Sequence, residues 1–171
     1  SPQALRTLAL AQAAAGDFDT AAMTAKLTAA FGDWRPAAAA LPEVAPAAPQ
    51  DGRRVLLVDK PGATQTYFWL GNVGVARDYE KRAALDIANT VFGGRYTSML
   101  NTELRMKSGL TYGAHSQLTR ASQPGSIAIT SFTPVESTVV AIDMALDVLG
   151  QLHDSAVDEE VLDTARNYNL G

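Results

Sequence analysis

The chain contains no cysteine, so a disulfide framework, a thiolate nucleophile and a cysteine-ligated metal are all excluded. Histidine is nearly as scarce: His115 and His153 stand far apart in 171 residues. Two isolated imidazoles do not make a three-ligand metal site without several converging carboxylates, and no spacing in the sequence gathers these. No apolar run approaches the ~20 residues that span a bilayer. Basic tracts are missing and the net charge is −4, which argues against a nucleic-acid partner held through its phosphates. The glycines Gly71, Gly74, Gly93 and Gly94 are not followed by Gly-Lys-Ser/Thr, so they form no phosphate cradle. Ser98 lies in no G-x-S-x-G elbow, and a serine hydrolase is correspondingly disfavoured.

What is present is ordinary for a globular protein: 47% hydrophobic and 19% charged residues, enough for one domain with flanking sequence. Residues 5–15 are apolar and alanine-rich, and their propensity admits helix as readily as strand. Thr20 to Phe31 is expected to be helical, with Asp19 as N-cap and Gly32 as the stop. Pro36, Pro42, Pro46 and Pro49 then stand among alanines with few charges, a composition that suits an extended linker over residues 35–53. This gives three parts, 1–34, 35–53 and 54–171.

Beyond the linker the periodicity is plain. Val55–Asp59 reads as a short buried strand, Lys60-Pro61-Gly62 as a turn, and Thr64–Val73 as a longer strand rich in Thr, Tyr, Phe and Trp. Tyr79–Phe92 is an amphipathic helix with Ala84, Leu85, Ala88, Val91 and Phe92 on its apolar face. Thr97–Met106 is a second helix. Thr111–Thr119 and Ser126–Thr133 are strands joined by a turn through Ser122-Gln123-Pro124-Gly125. Pro134–Leu152 is a helix with an Ile142, Ala145, Leu146, Leu149 stripe, and Asp158–Leu170 is another, capped by Asp158. The order β-β-α-α-β-β-α-α predicts an α+β fold of two layers, a mostly antiparallel sheet with helices on one face.

Several residues invite catalytic readings that simpler accounts absorb. Asp158, Glu159 and Glu160 open a helix, where they complement its dipole. Tyr67, Phe68 and Trp69 alternate across a strand, so one face is core, and the basic neighbours of a base-stacking platform are missing. His115 falls in a strand and His153 at a helix end. Arg95 and Arg120 read as surface charges. By themselves, Arg105 is a solvated helix residue and Tyr112 a half-buried strand tyrosine.

The run from Gly93 changes the last of these readings. Gly93-Gly94-Arg95-Tyr96-Thr97-Ser98-Met99-Leu100-Asn101-Thr102-Glu103-Leu104-Arg105 places a double glycine before a helix that ends in an arginine. Gly109-Leu110-Thr111-Tyr112-Gly113 follows with a turn and a tyrosine. This resembles the second-domain segment of the pitrilysin/insulinase-type zinc peptidases, roughly G-G-x-x-S-x-L-x-x-x-L-R and then G-x-x-Y-G. In that family the arginine and tyrosine belong to the half that holds no metal, and they reach the substrate peptide. The resemblance assigns that substrate-binding role to Arg105 and Tyr112. Gly109 suits a left-handed turn that brings helix end and strand start together.

The same resemblance implies a processing-peptidase-like metallohydrolase fold, with 1–34 the tail of a preceding homologous domain and 54–171 the non-catalytic domain, ending short of its usual length. The family's zinc half carries H-x-x-E-H on a helix. Aligned on Phe92, the matching positions here fall near Leu85, Ala88 and Asn89, which ligate nothing. Neither a catalytic nor a metal-binding residue is therefore expected in this segment, and zinc would reside in a homologous partner domain or subunit that cleaves a shared peptide substrate. A catalytically silent scaffold homologue is the alternative. The resemblance leans towards a bacterial periplasm or cell envelope.

Overall fold

The computed structural model describes residues 15–33, 45, 48 and 51–171, and the chain divides into two units, 1–44 and 45–171. In the first, helix α1 (Thr20–Phe31) forms where the sequence places it. The Asp19 carboxylate accepts the Ala22 amide at 2.7 Å, satisfying one of the donors that a helix start leaves open. The choice between helix and strand for residues 5–15, and the bulk of the 35–53 linker, fall outside the described residues.

The second unit is built on an antiparallel sheet of β1 (Gln65–Val73), β2 (Ala114–Leu118) and β3 (Ser126–Pro134), in spatial order β1-β3-β2. Phe68 stands opposite Ser131 and Leu70 opposite Ile129, while Ala114 and Ser116 meet the same two β3 residues from the other side. Because side chains alternate along a strand, this register gathers Phe68, Leu70, Ala114, Ser116, Ile129 and Ser131 on one face. Tyr67, Trp69 and His115 lie exposed on the other. Phe68 is thus core between two exposed aromatics, as the alternation requires.

Helices α2 (Arg82–Asn89), α3 (Met99–Asn101), α4 (Thr138–Asp154) and α5 (Glu159–Leu170) complete the unit. Phe92, Leu100, Leu104, Ala114, Ile129, Ala145 and Val148 form the buried core, with Leu70, Met99, Met144, Leu149 and Leu152 packed against it. Asp158 caps α5 through the Glu160 amide at 2.9 Å. Both α2 and α3 run on into π-helical turns, Thr90–Gly94 and Thr102–Lys107. None of the helices among the described residues is long and apolar enough to cross a membrane.

Two expectations are corrected. Val55–Asp59 is not a strand of the sheet: Val55, Leu56, Leu57 and Val58 are 77–88% exposed and pair with nothing among the described residues. The observed order is therefore β-α-α-β-β-α-α, within the expected two-layer antiparallel arrangement. On α4 the buried stripe is Ala141, Ala145 and Val148, flanked by Met144, Leu149 and Leu152, while Leu146 faces water. The helix is apolar over most of its surface, so periodicity admits either stripe and the packing against β3 decides.

Candidate substrate-binding site

Arg105 lies near the end of the π-helical turn Thr102–Lys107. The Ser108 amide donates five residues back to the Glu103 carbonyl at 3.1 Å, and the Gly109 amide donates to the Arg105 carbonyl at 3.2 Å. Single π turns of this kind recur at functional sites because the extra residue re-aims neighbouring side chains. Gly109 then takes φ +67°, the left-handed conformation that a side chain would strain. The chain reverses, and the Thr111 amide reaches back to the Leu104 carbonyl at 3.3 Å.

That reversal lays Tyr112 against the residue seven positions before it. The guanidinium carbon of Arg105 sits 4.4 Å from the Tyr112 ring centroid, over its face. Tyr112 precedes β2 rather than lying in it and is 75% exposed, so its ring is a surface wall and not a half-buried strand side chain. Its backbone is nevertheless fixed. Thr111 Oγ1 donates to the Gly113 carbonyl and accepts the Gly113 amide, at 3.0 and 3.1 Å. Ser131 Oγ, on the buried face of β3, donates to the same carbonyl at 3.0 Å.

A third residue, not anticipated from the sequence, joins the pair. Tyr96 places its ring 4.9 Å from the same guanidinium carbon. Nine positions separate Tyr96 from Arg105, which is neither a helical neighbour spacing nor a strand register. An aromatic directly after Gly-Gly-Arg was the only available signal. A cation over an exposed aromatic face gains about 0.5–1 kcal/mol, so two rings orient the guanidinium without consuming its in-plane N–H donors.

The ion pairs of the described residues are Lys107–Glu103 at 2.6 Å, Arg166–Asp163 at 2.5 Å and Arg120–Asp86. Arg105 is in none of them. Among the described residues its charge meets only π faces, which leaves the fork of donors to an incoming acceptor. Arg120, expected as a surface charge, instead ties the loop after β2 to α2 through Asp86. Arg95 is half-buried and its Nε is buried without a partner. Beside Tyr112 lies an open depression of about 280 Å³, whose walls include Gln65, Leu110, Phe132 and Pro134.

The described residues do not fit a zinc ion. No group of three or more His, Asp or Glu side chains able to hold a metal occurs among the described residues. His115 is exposed on β2 and His153 lies in the last turn of α4. Leu85, Ala88 and Asn89, which the resemblance sets near the metal-binding positions, lie on α2, and Asn89 is engaged with Ser116. Ser98, buried, caps α3 by accepting the Asn101 amide.

Comparison with known proteins bears on the family and the fold. The sequence model of the peptidase M16 inactive domain matches residues 10–169. An uncharacterized zinc protease of Streptomyces coelicolor is 35% identical over 114 residues, covering 63% of this chain and 24% of that protein. The chain thus spans about a quarter of the length of this relative. The crystal structure of a peptidase M16 inactive domain from Pseudomonas fluorescens superposes with a TM-score of 0.62 at 29% identity, covering 64% of this chain and 27% of that one. A protease from Helicobacter pylori shares the fold over 91% of this chain and 38% of its own, with a TM-score of 0.79 at 20% identity. The chain belongs to the peptidase M16 inactive-domain family.

Proposed function

We propose that this chain is the substrate-holding, metal-free half of a zinc metalloendopeptidase, in which a peptide lies between this domain and a homologous zinc-bearing domain or subunit. Residues 54–171 form the holding domain, 35–53 a tether, and 1–34 the tail of a preceding homologous domain. Arg105 and Tyr112 bind the peptide backbone near the bond to be cut. The observation that carries the reading is the Arg105 guanidinium itself: stacked at 4.4 Å on Tyr112, which lines an open depression, and without a carboxylate partner among the described residues.

A peptide carbonyl meets these groups in two ways. The planar fork of Arg105 donates to the oxygen, and the Tyr112 hydroxyl adds a further donor. Donors aimed where negative charge develops stabilise the transition state more than the bound substrate. Removing one such donor commonly costs ~10²–10³ in rate. Arg105→Ala in the assembled peptidase is therefore expected to depress kcat/KM on that scale while zinc content and the thermal transition stay at parent values. Parent-level cleavage by Arg105→Ala and Tyr112→Phe alike would assign the chain to a passive lid or a silent scaffold.

A further inference from the structure

We propose that Tyr96 is a positioning residue for Arg105, completing with Tyr112 a two-ring clamp whose spacing is set by the buried side chain of Asn101. The proposal rests on the reading of Arg105 as the residue that grips the peptide.

Tyr96 stands in the turn between the first π-helical turn and α3, and the residue is 59% exposed. Nothing in the core requires an aromatic there. What the ring touches is the Arg105 guanidinium, at 4.9 Å. Two tyrosine rings thus face one cation that lacks an ion-pair partner among the described residues. A lone arginine on an exposed helix end samples many rotamers, and ordering it weakens binding. A clamp that orders it beforehand removes that loss and leaves the edge of the fork facing an incoming carbonyl.

Asn101 explains how two rings from separate segments keep their distance. It is 1% exposed, and its amide bonds in both directions. Nδ2 donates to the Tyr96 carbonyl at 2.7 Å, and Oδ1 accepts the Ala114 amide at 3.3 Å. Ala114 lies two residues beyond Tyr112, across the segment already locked by Thr111 and Ser131. One buried side chain therefore joins the backbone carrying each ring, and neither leucine nor alanine reproduces both bonds.

The test combines a spectrum with kinetics. In the chain labelled at arginine, the Arg105 side-chain protons carry a ring-current displacement, assigned by its loss in Arg105→Lys. Tyr96→Phe is expected to preserve the displacement, Tyr96→Leu to lose the part that Tyr96 contributes, and Asn101→Asp to reduce it by removing the Nδ2 donor. In the assembled peptidase, Tyr96→Leu is expected to raise KM roughly two- to fivefold with a smaller change in kcat, and Tyr96→Phe to stay at the parent value. An Arg105 spectrum unchanged by Tyr96→Leu overturns the clamp. So does an altered spectrum with parent KM in a protein where Arg105→Ala does impair cleavage. If Arg105→Ala leaves cleavage intact, the substrate-grip reading fails instead, and the spectrum alone decides whether the clamp exists.

Discussion

Gly93 approaches Ser116 so closely that a Cβ at residue 93 would stand 2.5 Å from the Ser116 amide nitrogen and 2.5 Å from its Oγ. The same carbon would lie 2.8 Å from Leu100 Cδ1. The double glycine before α3 is thus a packing requirement. It lets the first π-helical turn press on β2, where Ser116 Oγ donates to Asn89 Oδ1 at 2.7 Å. Gly93→Ala is expected to destabilise the 45–171 unit by about 1–3 kcal/mol, the usual cost of overpacking. A lowered urea midpoint at unchanged slope is the measurement, and a parent midpoint would mean that the contact relaxes freely.

Leu104 links the core to the site. It is fully buried in the central cluster, and its carbonyl accepts the Thr111 amide and the Ser108 hydroxyl. Leu104→Ala is expected to cost about 2–5 kcal/mol in unfolding. Since Arg105 is its neighbour and Thr111 its bonded partner, the same substitution is expected to loosen the Arg105–Tyr112 contact at temperatures where the domain remains folded. Crystallographic or NMR comparison of the loop decides this, and an unmoved Tyr112 ring would show that Ser131 and Thr111 suffice to hold it.

Much of this was legible in the residues, for local reasons. The Asp19 and Asp158 caps, the left-handed Gly109 and the alternation around Phe68 each follow from a rule that acts within a few positions. What escaped depends on partners far along the chain. Val55–Asp59 has strand propensity, but propensity does not supply a neighbouring strand. The α4 stripe moved because most of its faces are apolar. The π turns at Thr90–Gly94 and Thr102–Lys107 leave no mark in a periodicity of 3.6. Tyr96 lies nine positions from Arg105, so its contact with the guanidinium became visible only with the fold.

The exposed run Val55-Leu56-Leu57-Val58 has a physical consequence of its own. Four exposed apolar residues outside the sheet, bounded by Arg54 and Asp59, offer an apolar run and unpaired backbone among the described residues to another strand. The isolated chain is expected to bind a hydrophobic dye and to self-associate with rising concentration, and Leu57→Lys to suppress both without shifting the thermal transition. A large destabilisation by Leu57→Lys would show that the segment is packed after all.

Zinc analysis of the chain prepared without a histidine tag bears on the division of labour between the two halves. With two separated histidines, no cysteine and no three-member ligand group among the described residues, less than a tenth of an equivalent of tightly bound zinc is expected, roughly the level of adventitious binding. The chain alone is also expected to leave unstructured peptides uncut. One tightly held equivalent would undo the assignment of a metal-free half.

The sharpest discrimination concerns Arg105→Lys. A lysine keeps the charge and still stacks on an aromatic face, but it replaces a planar fork with a flexible, strongly hydrated point charge. If the site merely needs a cation to attract acidic peptides, Arg105→Lys should cleave near the parent rate, and the loss in Arg105→Ala should shrink as salt rises. If the fork holds one carbonyl oxygen, Arg105→Lys should lose most of what Arg105→Ala loses, with little dependence on salt. The Tyr112 hydroxyl serves the same oxygen under the second scheme. The double variant Arg105→Ala/Tyr112→Phe is then expected to fall short of the sum of the single losses in free energy, because each donor's contribution depends on the oxygen being held by the other. Strict additivity, together with a rate fully restored by lysine, would leave charge attraction as the role of Arg105 and a structural wall as that of Tyr112.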